Sequence, residues 1–164
     1  HKDAFDYILS YKKDITKDFI CQIQKKVVKV TLRKDLENQI GIYRDLQVFV
    51  RGANFTPPKP KEAKNEMKNL MRWYSTNRDK LHPLILAAYF HLAFESIHPF
   101  VDGNGRTGRL LMNFILHKHG YPMVSIPNTR KLDYYSYLDK GRENNLRSFV
   151  KFLYDLLIKE EIYV

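Results

Sequence analysis

Between Leu84 and Ile97 the chain carries apolar side chains on nearly every face that a helix could present, with Pro83 before it and His98-Pro99 after it. A surface helix needs only one apolar stripe, so a helix that is apolar nearly all round has to be enclosed by other elements. Ala87, Ala88 and Ala93 are small enough to admit close neighbours. Pro83 suits the first helical turn, and a residue preceding proline avoids the helical region, which places the stop at His98. The fold is therefore expected to be built around this segment as its central rod.

The rest of the chain supplies what would surround it. From Asp3, the residues Phe5, Ile8 and Leu9 recur at helical spacing, and a second helix is predicted after Thr16 with Phe19, Ile23 and Val27 on one stripe. Pro60 opens a helix carrying Met67, Leu70, Met71 and Tyr74. Another begins near Gly105, carries Leu110, Leu111, Phe114 and Ile115, and stops at Gly120, Tyr121 and Pro122. Two more are predicted over Lys131 to Asn144 and Leu146 to Lys159. Between Asp45 and Arg51 the period changes to two, as Leu46, Val48 and Val50 alternate with Gln47, Phe49 and Arg51, which predicts a short strand or hairpin. Asn54 to Pro60 then reads as an extended, proline-rich linker. The expectation is an all-α fold with one small β excursion, in a single domain over residues 1–164.

Composition narrows the function classes. Of the 164 residues, 28 are Lys or Arg against 18 Asp or Glu, a formal charge of +10, with the basic residues scattered in short pairs such as Lys12-Lys13 and Lys25-Lys26. That distribution reads as a solvated surface rather than a nucleic-acid arm. The longest apolar run, Leu84 to Phe90, is far shorter than the roughly 20 residues needed to cross a bilayer. A single Cys21 excludes an intrachain disulfide and a multi-cysteine zinc site, and fits a reducing, cytoplasmic compartment. The chain opens at His1 without an initiator Met, which suggests a fragment truncated upstream or a processed piece.

The connection between the two most apolar helices, HPFVDGNGRTGR at 98–109, concentrates unusual chemistry. Gly103 and Gly105 allow close backbone approach at the start of a helix whose free N–H groups favour an anion. Arg106 and Arg109, three apart, share a helix face and present guanidinium forks suited to phosphate oxygens. Asp102 can hold Mg²⁺, which favours one or two carboxylates together with substrate phosphates. His98, with an ordinary pKa near 6.5, can take a proton from a hydroxyl at neutral pH. Each residue alone has a bland reading as a cap, turn or solvated charge; together they describe a phosphoryl- or nucleotidyl-transfer site. The string from Gly103 to Gly108 also fits a dinucleotide fingerprint, but a helix rather than a strand precedes it and no acid lies at 125–132. His91 and Glu95, four apart on a helix, read as core residues before they read as metal ligands.

HPFVDGNGRTGR resembles, at every defining position, the HxFx(D/E)GNGRxxR signature of the Fic domain family. The likeness extends over roughly residues 40 to 155. YRDLQVFVRG, about 43–52, is similar to the family's β-hairpin flap, and LHPLILAAYFHLAFESI and RLLMNFILHKHGYP to the helices flanking the signature; residues 1–40 would be a helical N-terminal part. The subgroup that it resembles most includes the animal adenylyltransferase. The resemblance implies a Fic-type helical bundle and an enzyme that moves AMP from ATP onto a Tyr, Thr or Ser hydroxyl of a protein, with pyrophosphate leaving. It assigns His98 as the base, Asp102 as the Mg²⁺ ligand, Gly103, Asn104 and Gly105 as the anion hole, Arg106 as a phosphate grip and Arg109 as the γ-phosphate contact. It further implies that Tyr135 lies along the adenine, that Val48, Phe49 and Val50 dock the target backbone, and that Phe100 packs the loop into the core.

Three departures qualify it. Relatives with Lys in place of Gly105 act as kinases, so Gly105 speaks for AMP transfer. Arg142 stands where the subgroup commonly has Asn, which leaves base selectivity open. Many relatives carry an inhibitory helix with the pattern (S/T)xxxE(G/N), and no Glu of this chain has Ser or Thr four positions before it. Such a helix is expected from a removed segment ahead of His1 or from a partner, leaving this piece uninhibited and able to modify itself. AMP removal, phosphotransfer and a non-catalytic phosphate- or nucleic-acid-binding module remain as alternatives, and a homodimer remains open.

Overall fold

The computed structural model describes residues 1–162, and side chains up to residue 159. Seven α-helices carry the fold: α1 (Lys2–Ser10), α2 (Lys17–Val28), α3 (Pro60–Asn77), α4 (Pro83–Ile97), α5 (Asn104–Lys118), α6 (Lys131–Arg142) and α7 (Leu146–Ile162), with short 3-10 turns at Lys34–Gln39 and Asn128–Arg130. α4 occupies the middle, packed against α3, α5, α6 and α7, while α1 and α2 cover α5. Leu86, Ala87, Ala88, Phe90 and Phe94 are inaccessible to solvent, as a helix apolar on all faces requires.

Local chemistry sets the helix limits. The Thr16 hydroxyl accepts from the Phe19 N–H at 3.1 Å and caps α2. Pro60 and Pro83 occupy the first turns of α3 and α4. Gly120, at φ 81°, turns the chain away after α5. Close approach around α4 depends on two glycines: a Cβ at Gly141 of α6 would stand 2.7 Å from Leu92, and one at Gly108 of α5 would overlap the Glu95 carboxylate.

The expected β-hairpin is not formed, and no strand occurs among the described residues. Leu46 to Val50 runs as irregular chain to a turn closed by the Ala53 N–H on the Val50 carbonyl at 3.1 Å, with Gly52 at φ 75°. The returning limb contains Pro57 and Pro58, which have no N–H to donate, so a ladder cannot build. Side chains join the limbs instead. Gln47 Nε2 donates to the Pro57 carbonyl at 3.1 Å, and Arg44 donates to the Leu46 carbonyl at 3.0 Å and the Pro58 carbonyl at 2.5 Å.

Arg44 is 0% exposed, and its remaining donors reach the carbonyls of His98 at 2.8 Å and Ile97 at 3.4 Å. Its own backbone N–H donates to the Pro99 carbonyl at 2.9 Å. Replacing it strands several buried carbonyl oxygens at once. Arg44→Leu should therefore lower stability by about 3 kcal/mol or more, read as a shift of the urea midpoint at unchanged slope.

Candidate active site

The site begins with a strained residue. His98 ends α4 in the left-handed region, φ 53° and ψ 60°, one of two non-glycine residues there among those described. A side-chain-bearing residue pays about 1–2 kcal/mol for that conformation, and the surroundings impose it: Pro99 disfavours the helical region, and Arg44 takes the His98 carbonyl. The imidazole Nδ1 lies 3.3 Å from the Glu95 carbonyl oxygen. Because a carbonyl only accepts, Nδ1 carries the proton and Nε2 is left as the basic nitrogen. Burial, with the nearby positive charges of Arg44 and Arg142, lowers the pKa of His98 to about 4, overriding the Glu95 carbonyl and the Asp102 carboxylate, which act the other way. The sequence-based expectation of a value near 6.5 is thus displaced by desolvation.

Beyond His98 the loop is held shut by its own residues. Phe100 is fully buried, and the Asn104 side chain brackets its backbone, accepting from its N–H at 2.9 Å and donating to its carbonyl at 2.8 Å. Asn104 therefore shapes the loop with its side chain, and any anion contact falls to main-chain N–H groups in the first turn of α5. Gly103 precedes that turn at φ 79°, with 2.6 Å between a would-be Cβ and Val28, so only glycine fits. Asp102 accepts from the Gly103 N–H at 2.7 Å through Oδ1, while Oδ2 stands 3.8 Å from Arg106. Its side chain is 45% exposed. A carboxylate with a lightly engaged oxygen at a helix N-terminus fits a Mg²⁺ that draws its other ligands from phosphate and water. No group of three or more His, Cys, Asp or Glu suited to a metal occurs among the described residues, so an all-protein cage is not present there.

The two arginines face one groove. Arg106 donates to the Val27 carbonyl at 3.3 Å and contacts Thr31, and with Arg109 it lines a recess closed by Asn113 and Val124 to Ile126. Arg109 folds back over the bare Cα of Gly105, where a Cβ would meet Nη1 at 3.3 Å. A second recess, between Arg109, Lys131, Tyr134 and Tyr135, adjoins a third of ≈ 360 Å³ whose walls include His98, Glu95, Tyr135, Leu138 and Arg142. Lys131 and Tyr135 line both the second and the third, and Arg109 and Ile126 both the first and the second, so the three adjoin in a row, here the trough, from the imidazole past Tyr135 to the guanidiniums. Val50 reaches its rim, whereas Phe49 projects outward at 77% exposure and Val48 lies outside the lining.

Residues 14–116 match the Fic/DOC family. The chain belongs to that family. Over 116 residues it is 44% identical to the protein adenylyltransferase Fic of Drosophila persimilis, covering 70% of this chain and 22% of that protein. Over 147 residues it is 37% identical to the protein adenylyltransferase Fic of Nematostella vectensis, covering 89% of this chain and 33% of that one. The chain thus spans a third or less of those relatives' length. The fold is similar to the crystal structure of a Fic domain containing signaling protein from Bacteroides thetaiotaomicron, with TM-score 0.82 and 30% identity over 96% of this chain and 65% of that one. It is also similar to Fic-1 from C. elegans, with TM-score 0.76 and 27% identity over 93% and 45%. No helix among the described residues is long and apolar enough to cross a membrane.

In this Fic/DOC chain, sequence reasoning missed the residues that brace the signature loop from elsewhere. Gln24 of α2, fully buried, donates to the Asp102 carbonyl at 3.1 Å and accepts from the Gly41 N–H at 2.7 Å. Its only trace in the sequence is a polar residue on the stripe of Ile20, Ile23 and Val27. Arg142 donates to Ser96 Oγ at 3.1 Å and Asp139 at 2.8 Å and stacks on Phe55 at 3.8 Å from the ring centroid, pinning the proline-rich linker over the trough. An NMR titration of the His98 ring should give a midpoint near pH 4, so the imidazole stays neutral, with the Nε2 lone pair unprotonated, throughout the range in which an exposed histidine would charge. A midpoint at the ordinary histidine value would show that the trough is as wet as bulk solvent.

Proposed function

We propose that this chain is a protein adenylyltransferase, moving AMP from ATP to a hydroxyl of a target protein. The observation that carries the reading is the shared trough, with an uncharged imidazole at one end and two guanidiniums beside a helix N-terminus at the other. The names of the animal relatives agree with it.

In this reading the target's Tyr, Thr or Ser hydroxyl gives its proton to His98 Nε2 as its oxygen attacks the α-phosphorus. The bond from that phosphorus to the bridging oxygen of the β-phosphate breaks, and pyrophosphate leaves. The main-chain N–H groups of Asn104 and Gly105, with Arg106, hold the phosphates, Gly103 serving by its bare Cα because its own N–H is taken by Asp102, and Arg109 takes the outermost one. Tyr135, 47% exposed on the trough wall, offers its ring face to the adenine. Mg²⁺, bound by Asp102 and the phosphates, would offset the charge of the polyphosphate.

Val48, Phe49 and Val50 receive the target. Their limb forms no ladder with the returning one, which leaves backbone groups for an added strand. Cytoplasmic residence fits the lone, buried Cys21. A carboxylate pairing with Arg109 would block the outermost phosphate; as no Glu of this sequence matches the inhibitory pattern, such a brake is assigned to another segment or a partner.

Incubation of a lysate with Mg²⁺ and ATP labelled at the α-phosphate should transfer label to protein, while the γ-label should not transfer. His98→Ala should abolish transfer and leave ATP binding within about twofold of wild type. Retention of the γ-label alone would make the chain a kinase, and retention of neither would reduce it to a binding module.

A further inference from the structure

The recess that contains His98 is bounded on one side by α6 and on the other by the turn at residues 50–55, which belongs to no helix. That turn has little of its own to hold it in place. Its closing hydrogen bond, from the Ala53 N–H to the Val50 carbonyl, is internal, and a Cβ at Gly52 would meet no atom within 4 Å. Among the described residues, the hydrogen bonds of 48–56 stay within the two limbs, so none ties the turn to a helix. What does cross to α6 is the Phe55 ring, which lies against the Arg142 guanidinium with 3.8 Å between the guanidinium carbon and the ring centroid.

The α6 half of this contact is fixed from two sides. Arg142 Nε donates to Ser96 Oγ at 3.1 Å, and that hydroxyl already gives its own proton to the Leu92 carbonyl at 2.8 Å, so it has lone pairs to offer. Arg142 Nη1 donates to the Asp139 carboxylate at 2.8 Å. Gly141, bare against Leu92, brings α6 close enough to α4 for the first of these bonds. With two edges engaged and the side chain 19% exposed, the guanidinium keeps one plane, and Phe55 meets its face. A cation over a ring gains most where water is excluded from it. The ring, carried on irregular chain, is therefore the half that can move.

We propose that Phe55 and Arg142 form a clasp that closes the 50–55 turn against α6 and positions the base of the nucleotide in the recess, a role resting on the adenylyltransferase reading above. Tyr135 and Leu138 offer one wall to a flat base and Val50 to Ala53 the other, and the gap between them is set where Phe55 meets Arg142. Arg142 acts through Phe55 and is a positioning residue. A clasped turn holds the base by shape, so losing the clasp speeds departure of the nucleotide more than it alters arrival. The phosphates, at Arg106 and Arg109 in another recess, are held independently of it.

The test measures binding of Mg²⁺·ATP and of Mg²⁺·tripolyphosphate to the intact chain by calorimetry, with melting temperature recorded for each variant. Wild type should bind ATP more tightly than tripolyphosphate, which has no base. Phe55→Leu, which stays apolar but has no ring face, should weaken ATP by about tenfold and leave tripolyphosphate within about twofold. Phe55→Tyr, which restores the face, should recover most of the loss. Arg142→Gln should repeat the Phe55→Leu pattern and add nothing in a Phe55→Leu background. Arg51 is exposed in the same turn, so trypsin should cut after it about tenfold faster in Phe55→Leu at an unchanged melting temperature. Wild-type cleavage in that variant, equal loss of ATP and tripolyphosphate, or a further loss from Arg142→Gln in the Phe55→Leu background overturns the clasp and leaves the adenylyltransferase reading intact. Wild type binding ATP no better than tripolyphosphate would instead show that the recess takes no base and overturn the reading on which the proposal stands.

Discussion

A guanidinium buried without any carboxylate is the joint of this molecule. Burying a charge is costly unless its donors are met, and Arg44 meets them with main-chain oxygens drawn from three places: its own limb at Leu46, the returning limb at Pro58, and the end of α4 at Ile97 and His98. Irregular chain on one side and a helix terminus on the other are thereby fixed to one planar group. The loop over the trough and the imidazole beneath it share an anchor, so the distance between the Leu46 to Val50 limb and the His98 ring is set by a rigid fork rather than by the loop's own stiffness. Desolvation lowers the pKa of the guanidinium, yet an arginine stays charged in protein interiors, so the carbonyls never lose their donor.

The parts readable from sequence were those with short-range causes. α4 followed from its apolar faces and its two prolines, α2 from Thr16, and the fold class from helical periods that recur from end to end. The signature loop was legible because its residue types are chemically specific and lie within one connection. The hairpin was misread because a period of two reports an extended path, not a partner; the partner segment carries Pro57 and Pro58, and its lack of donors decided against a ladder. Gln24, Arg44 and Tyr134 were invisible as site residues because their partners lie 78, 54 and 43 positions away. The basicity of His98 was misjudged for a related reason, since the desolvation that lowers it is assembled from several elements and has no local signature.

Glycine governs how tightly those distant elements meet. Gly108 and Gly141 are bare on the sides that face α4, which lets α5 and α6 approach until Glu95 and Leu92 touch backbone. Without that proximity His91 would not reach Tyr134 across the helix interface. The two bare positions therefore serve that buried hydrogen bond as much as the apolar packing.

The left-handed backbone at His98 sets folding and chemistry against each other at a single position. Glycine would sit there without penalty, so a chain shaped for sturdiness alone would carry no side chain at that point. Imidazole at that dihedral marks the opposite bargain: a small, permanent tax on the native state, levied where the backbone turns sharply enough to aim a ring nitrogen out of the helix axis. Shedding that ring would leave a backbone that outlasts this one in heat.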